Sequence, residues 1–231
     1  WKLATIGDAN VILGNLPEAR RWYDRAVVKA PMAVADIARI RQEARFKLQA
    51  MGLPADSVDA ALPVPRIAAF TGHMVDSPGR VPERFPERKV SAVSDAIDAW
   101  LTRRQVAFGF ASAARGGDLL FLKGLLERGG DARCYLPFPR TTFRETSVGD
   151  AWSGRFDQIM AKVSPNLMAR NAPAEDARPD AYLACSLRLQ EDAIAFAKSL
   201  DEEPILLAVW NGQPGDGRGG TADAIKEWQR S

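Results

Sequence analysis

The sequence predicts an α/β domain, a mostly parallel sheet with helices on both faces, preceded by a small all-α segment. Three observations carry this. After Pro65, short apolar runs alternate with amphipathic stretches; the first fifty or so residues instead keep a helical period; and a proline-containing stretch with little period separates the two regions. Alternating strands and helices imply parallel pairing with right-handed crossovers, and such sheets bind ligands beyond the carboxyl ends of their strands. At 231 residues, 46% of them apolar, the chain can bury a sizeable core and still carry an appendage.

Taken in order, Trp1 to Pro31 shows two helical stretches broken at Gly14-Asn15 and stopped by Pro31, which predicts two antiparallel helices. Ala33 to Met51 is a third amphipathic helix with the face Ile37, Ile40, Ala44, Leu48, the spacing of a helix that caps a helical array. Residues 1–51 are therefore one segment, and 52–65, with Pro54, Pro63 and Pro65, the linker. In 66–231 the runs Arg66 to Thr71, Val106 to Ala111, Ala132 to Leu136 and Pro204 to Trp210 read as buried strands, with Val163 to Ala169 a weaker fifth. Helices are expected near Val90 to Arg104, Asp118 to Gly129, Trp152 to Lys162, Ala181 to Leu200 and Thr221 to Gln229. The chain opens on Trp1 within a helical pattern, so the reading is of part of a longer polypeptide.

Charge and composition exclude several classes. Lys+Arg 31 against Asp+Glu 29 leaves a formal charge of +2, too near balance for a general duplex-DNA binder, so nucleic acid is not the expected partner. Cys134 and Cys185 stand about fifty residues apart without a neighbouring Cys or His cluster, which argues against a zinc site or a disulfide framework and for a reducing, cytoplasmic setting. No metal or other cofactor is identified. No apolar run is long enough for a membrane span, and no export signal is visible.

Three loops at expected strand ends carry the candidate chemistry. Thr71 to Lys89 follows the first strand: Gly72 admits close backbone approach, Thr71 and His73 add polar groups, and Arg80, Arg84, Arg88 and Lys89 could clamp phosphates. His73 is the single histidine; with no partner acid identifiable nearby, it reads as structural or ligand-contacting. Ala111 to Pro137 contains Ser112, Arg115, Gly116, Gly117 and Asp118 at a glycine turn into a helix, where free N–H groups and the positive helix end suit an anion. Asn211 to Trp228 places Gly219, Gly220 and Thr221 before a last helix in the same manner. Each loop alone is an ordinary turn as readily as a site; three at one sheet edge point to a shared ligand.

These motifs bring a resemblance. Gly14 to Pro31 (GNLPEARRWYDRAVVKAP) resembles the second half of a tetratricopeptide repeat, with Gly14 at the turn, Ala19 where the helices touch, and Tyr23 and Ala26 at the next packing positions. Such units need stacked neighbours, and the helices are expected to bind a protein partner. Ala114, Arg115, Gly116, Gly117 and Asp118 resemble the Ser-Gly-x-Ala-Arg-Gly-x-Asp signature of the DNA-processing protein A family and related SLOG domains, with Ala111 and Ser112 departing from its first two positions. Gly219, Gly220 and Thr221 resemble part of the Pro-Gly-Gly-x-Gly-Thr-x-x-Glu motif of the Lonely guy phosphoribohydrolases. The resemblance implies a Rossmann-like SLOG domain over 66–231, in a bacterial signalling or defence protein that senses a nucleotide-derived ligand. In the phosphoribohydrolases the Glu three positions after Thr is catalytic; here that position is Ala224, and neither Asp223 nor Glu227 has the matching spacing. A binding module is therefore expected before an enzyme. The alternatives are a nucleoside-phosphate or dinucleotide hydrolase using Asp118, Asp223 or Glu227, and a scaffold that binds no small molecule. A homo-oligomer is compatible with either.

Overall fold

The computed structural model describes residues 1–29, 33–213 and 219–230. Pro31 and the centre of the last glycine loop lie outside the described residues. The chain divides into two compact units, one made of Trp1–Pro65 with Phe196–Glu203, the other of Arg66–Ala195 with Pro204–Ser231.

In the first unit α1 (Lys2–Ile12) and α2 (Leu16–Lys29) form a hairpin that turns at Gly14, whose φ of +74° favours glycine. The two helices touch through small residues and one ring. Gly7 faces Tyr23 so closely that a Cβ on Gly7 would meet the ring at 2.5 Å, and Ala19, Tyr23 and Ala26 are buried. The Tyr23 hydroxyl donates to Asp8 Oδ1 (2.8 Å), which also meets Lys47 Nζ at 2.8 Å, so α3 (Val34–Ala50) is tied to the hairpin by charge as well as by its buried Ile37, Ile40, Ala44 and Leu48. The stretch expected as a linker is partly ordered into a 3-10 helix, Ala55–Ala61, packed on α2 and α3. Val58 and Leu62 are fully buried there, apolar anchors too few to register as a helical period. Arg41, itself buried, donates to the Leu200 and Asp201 carbonyls and to Glu202 Oε1 (3.1, 2.9 and 2.7 Å), and Arg45 bridges Asp59 and Asp201.

The second unit is a parallel sheet in the order β4-β3-β2-β1-β5. Its strands are β1 (Arg66–Gly72), β2 (Val106–Ala111), β3 (Asp131–Leu136), β4 (Asn166–Leu167) and β5 (Ile205–Val209). Between and after them lie α4 (Val90–Arg104), α5 (Gly117–Glu127), α6 (Arg140–Phe143), α7 (Asp150–Met160), α8 (Arg178–Ser199) and α9 (Thr221–Trp228). Ile67, Ala68, Ala69 and Phe70 are all buried. Since successive strand residues point to opposite faces, both faces of the sheet are covered at β1, which is why its sequence is a continuous apolar run rather than an alternating one. The α5 helix packs on β1, β2, β3, α4 and α7, and Phe121 of α5 stacks on Phe70 at 4.8 Å between ring centroids. Gly109 of β2 is where the helix comes nearest: a Cβ there would meet Leu125 at 2.4 Å.

Two features were not expected from sequence. The strand expected over Val163 to Ala169 is the two-residue β4, and a helical turn, α6, runs directly into one wide π turn, Arg144–Val148, closed by Gly149 at φ +75°. Short strands and single turns carry too few residues for a period to emerge. Among the described residues no helix is long and apolar enough to cross a membrane.

Candidate functional site

In this strand order β1 stands beside both β2 and β5, and the chain leaves their carboxyl ends in different directions, opening the crevice in which parallel sheets seat ligands. A cavity of about 460 Å³ lies there, within the range of small-molecule sites. Its walls come from the end of β1 (Phe70 to Met74), Ser112 and Ala114 after β2, Asp118 in the first turn of α5, and Pro137 after β3. Phe143 of α6, Thr146 and Ser147 of the wide turn, Pro179, Tyr182, Cys185, Ser186 and Leu189 of α8, Gly219 to Thr221 and Arg84 complete it.

The histidine is fixed by the strand ends. His73 N donates to Val209 O (2.9 Å), extending the β1–β5 pairing by one residue. Its Nε2 is 3.0 Å from Asn211 Oδ1, an oxygen that also accepts the Gln213 N–H (3.0 Å). That oxygen can only accept, so Nε2 carries the proton and Nδ1 is the acceptor of this imidazole. Burial holds His73 below its ordinary value; the Asn211 bond opposes this and the Arg84 charge adds to it, so the ring is neutral at pH 7.

The proline-rich loop is organised by Asp76. Its Oδ2 accepts the N–H groups of Arg84 (2.9 Å) and Phe85 (3.0 Å), its own N–H donates to Phe85 O (2.8 Å), and Phe85 is buried. These bonds bring Arg84 to the cavity wall. Of the four cations of the loop only Arg84 lines the cavity. Arg80 lies outside the wall because a turn, Arg80 N to Ser77 O with Gly79 at φ +78°, carries its guanidinium back toward Asp76 (3.6 Å). Arg88 pairs with Glu83 on the exposed side.

The turn into α5 is also used differently from the expectation. Gly116 adopts φ +97°, and a Cβ there would meet Val75 N at 2.7 Å and His73 O at 3.0 Å; Gly117 faces the Phe70 ring and donates its N–H to His73 O (3.3 Å). The space these glycines leave is thus occupied by the chain's own residues, 73–75 at Gly116 and Phe70 with Gly72 at Gly117. Arg115 serves the same junction, donating from Nε to Val75 O (3.0 Å) and from Nη2 to Ser77 Oγ (3.1 Å). Arg115, Gly116 and Gly117 are absent from the cavity wall for this reason. Thr71, Gly72, His73, Ser112, Asp118, Gly219, Gly220 and Thr221 are on it.

Before α9 two glycines divide the task. Gly219, at φ +82°, packs against α8, where a Cβ would meet Leu183 N and Pro179 O at 2.9 Å; its N–H is taken by Asp223 Oδ2 (2.9 Å). Gly220 precedes the helix in extended backbone, φ −82°, and lines the cavity together with the buried Thr221.

Sequence reasoning missed the opposite wall. There Tyr182 OH lies 2.8 Å from Ser147 Oγ and 3.3 Å from Thr146 Oγ1, with its ring edge-on to Phe138. The wide turn is fixed by Arg115 N donating to Ser147 O (2.9 Å). No motif announces these residues; the only available signal was the small and polar content of an otherwise apolar α8 face.

Of the three acids considered for catalysis only Asp118 reaches the cavity. Asp223 is engaged with Gly219, Glu227 pairs with Arg230 (2.6 Å), and Ala224 is buried. The Asp118 carboxyl accepts the Ala114 N–H at 3.1 Å through Oδ2, and burial pushes it up to about 7 against that bond. Burial likewise raises the Cys185 thiol to about 12 and the Cys134 thiol further, so both are neutral and unreactive at pH 7. Among the described residues no group of three or more His, Cys, Asp or Glu is placed to hold a metal. No protein-family model and no curated protein matches this chain.

Proposed function

We propose that the sheet unit is a binding module for a nucleotide-derived small molecule, and that the helical segment, read as tetratricopeptide-like, is its arm for a protein partner in a bacterial signalling protein. One observation carries the ligand reading: a single cavity at the strand ends gathers Arg84, the N-terminus of α9 and the hydroxyls of Thr71, Ser112, Thr146, Ser147, Tyr182, Ser186 and Thr221. The cation and the helix end suit a phosphate, and a wall so rich in hydroxyls suits a partner with many hydrogen-bonding atoms, such as a ribose. Phe70, Phe143 and Tyr182 add aromatic surface for a base.

Calorimetric titration of the protein with mononucleotides, dinucleotides and cyclic dinucleotides tests this. Saturable binding by at least one of them, weakened by Arg84→Ala, is the expected result; no binding across the set would overturn it. Chromatography of the same mixtures separates the hydrolase reading, which Asp118 alone favours by its position in the wall. Unchanged nucleotide is expected.

A further inference from the structure

Among the described residues Asp118 is the carboxylic acid in the cavity wall, and its surroundings decide its charge. It stands in the first turn of α5, 8% exposed, with Oδ2 spent on the Ala114 amide. Among the described residues the ionisable groups that share the cavity wall with it or act on it are His73 after β1, Cys134 on β3, Cys185 and Tyr182 on α8, and Arg84 from the loop after β1. His73 and both thiols are neutral at pH 7 for the reasons given above, and Arg84 does not figure among the causes that set the Asp118 carboxyl. A phosphate placed in the same enclosed space adds a like charge and displaces water. Both effects favour the protonated carboxyl.

We propose that ligand binding here takes up a proton: an anionic nucleotide is held with Asp118 in its neutral form, which can donate a hydrogen bond from O–H to the ligand where the carboxylate would repel it. The proposal rests on the nucleotide reading above. The proton comes from solvent and returns to it on release, so no bond to the ligand is made or broken.

The sign follows from the burial of the carboxyl. Asp118 in the free cavity changes charge near neutrality, and the bound ligand moves that change upward. Affinity is therefore greatest at acid pH and falls as pH rises through and above 7, by at most about tenfold per unit for one proton. His73 is held below its ordinary value by burial, so it is neutral at pH 7 and above and adds no slope there.

Asp118→Asn keeps a carbonyl oxygen for the Ala114 amide but cannot ionise. Titrate the protein and this variant with 3′,5′-cyclic AMP and with cyclic dinucleotides between pH 6 and 9; these are phosphodiesters whose charge is constant in that range. Wild-type affinity should fall about tenfold or more across the range, while that of Asp118→Asn stays flat and exceeds wild type at pH 9. Should the variant fold poorly, wild-type calorimetry at pH 7.5 in buffers of different ionisation enthalpy gives the protons taken up, expected between zero and one. A flat wild-type profile, no proton uptake, or an equal slope in Asp118→Asn overturns the coupling and leaves the nucleotide reading standing. If neither protein binds any of these probes at any pH, the coupling is overturned for phosphodiesters, and the nucleotide reading falls with it if the mononucleotides and dinucleotides of the wider set also fail to bind.

Discussion

Gly116, Gly219 and Gly220 all precede helices, yet their backbones give them different work. Gly116, at φ +97° against residues 73–75, has no room for a side chain. Gly116→Ala should cost about 2–4 kcal/mol from strain and overlap, read as a lowered urea midpoint. Gly220 has φ −82°, which any residue adopts, and it faces the cavity. Gly220→Val should thus fold with near-normal stability and abolish nucleotide binding in calorimetry. Charge placement gives a third contrast: Arg84→Ala should weaken binding by about one to two orders of magnitude, and Arg80→Ala, outside the wall, by much less. The Asp118 carboxyl adds a pH signature without any ligand. Its folded value, about 7, lies above the unfolded one of about 3.9, so the folded state binds the extra proton between them. Wild-type stability relative to Asp118→Asn should then decline as pH rises from 4 to 7 and level off above, by a total on the order of 2–4 kcal/mol. A denaturant series at stepped pH checks it; a pH-independent gap would mean the carboxyl is ionised throughout.

Between residues and fold stand the elements, where sequence was most informative for the sheet and least for the turns. The strands β1, β2, β3 and β5 were legible because each is a bounded apolar run, although β5, expected to be buried, is only half-buried at the sheet edge; α4, α5, α7, α8 and α9 were legible because eight or more residues are enough to display a helical period. The α6 turn and the π turn after it were not, since nine residues rich in Arg, Thr and Ser have no period. The site divided along the same line. Residues at strand ends could be named because topology fixes where strand ends go, whereas Tyr182 and Ser186 could not: a helical pattern reveals an inner face but not which cavity that face looks on. The shift from Arg80 to Arg84 depended on Asp76, whose bonds reach eight and nine residues along the chain. That loop makes its own prediction. Asp76→Ala leaves the Arg84 and Phe85 amides without their acceptor, so hydrogen exchange at both should accelerate markedly while β1 to β3 remain protected, and nucleotide affinity should drop about tenfold through misplacement of Arg84.

At the scale of the molecule the question is which residues the site needs. The apolar cluster built on Ala68, Phe70, Phe121, Leu125, Phe138, Phe143 and Phe156 is drawn wholly from the second unit. The cavity is lined by the same unit alone. A chain beginning at Pro65 therefore keeps the core and every wall of the site, and is expected to unfold in one cooperative transition and to bind nucleotide with unchanged affinity. One stretch does lose its partners. Phe196–Glu203 belongs with the helical unit, where Arg41 accounts for two of its carbonyls and the Glu202 carboxylate, and Arg45 for Asp201. In the truncated chain those carbonyls turn to water, a modest loss per bond because the exchange is nearly balanced, and the last turn of α8 frays. Hydrogen exchange should localise the change to residues 196–203 and leave β1, α5 and α9 as protected as in the full chain. Non-cooperative unfolding of the truncated chain, or loss of binding while it remains folded, would show instead that the helical segment sustains the cavity, and would move the protein-partner arm of the proposed function into the ligand site itself.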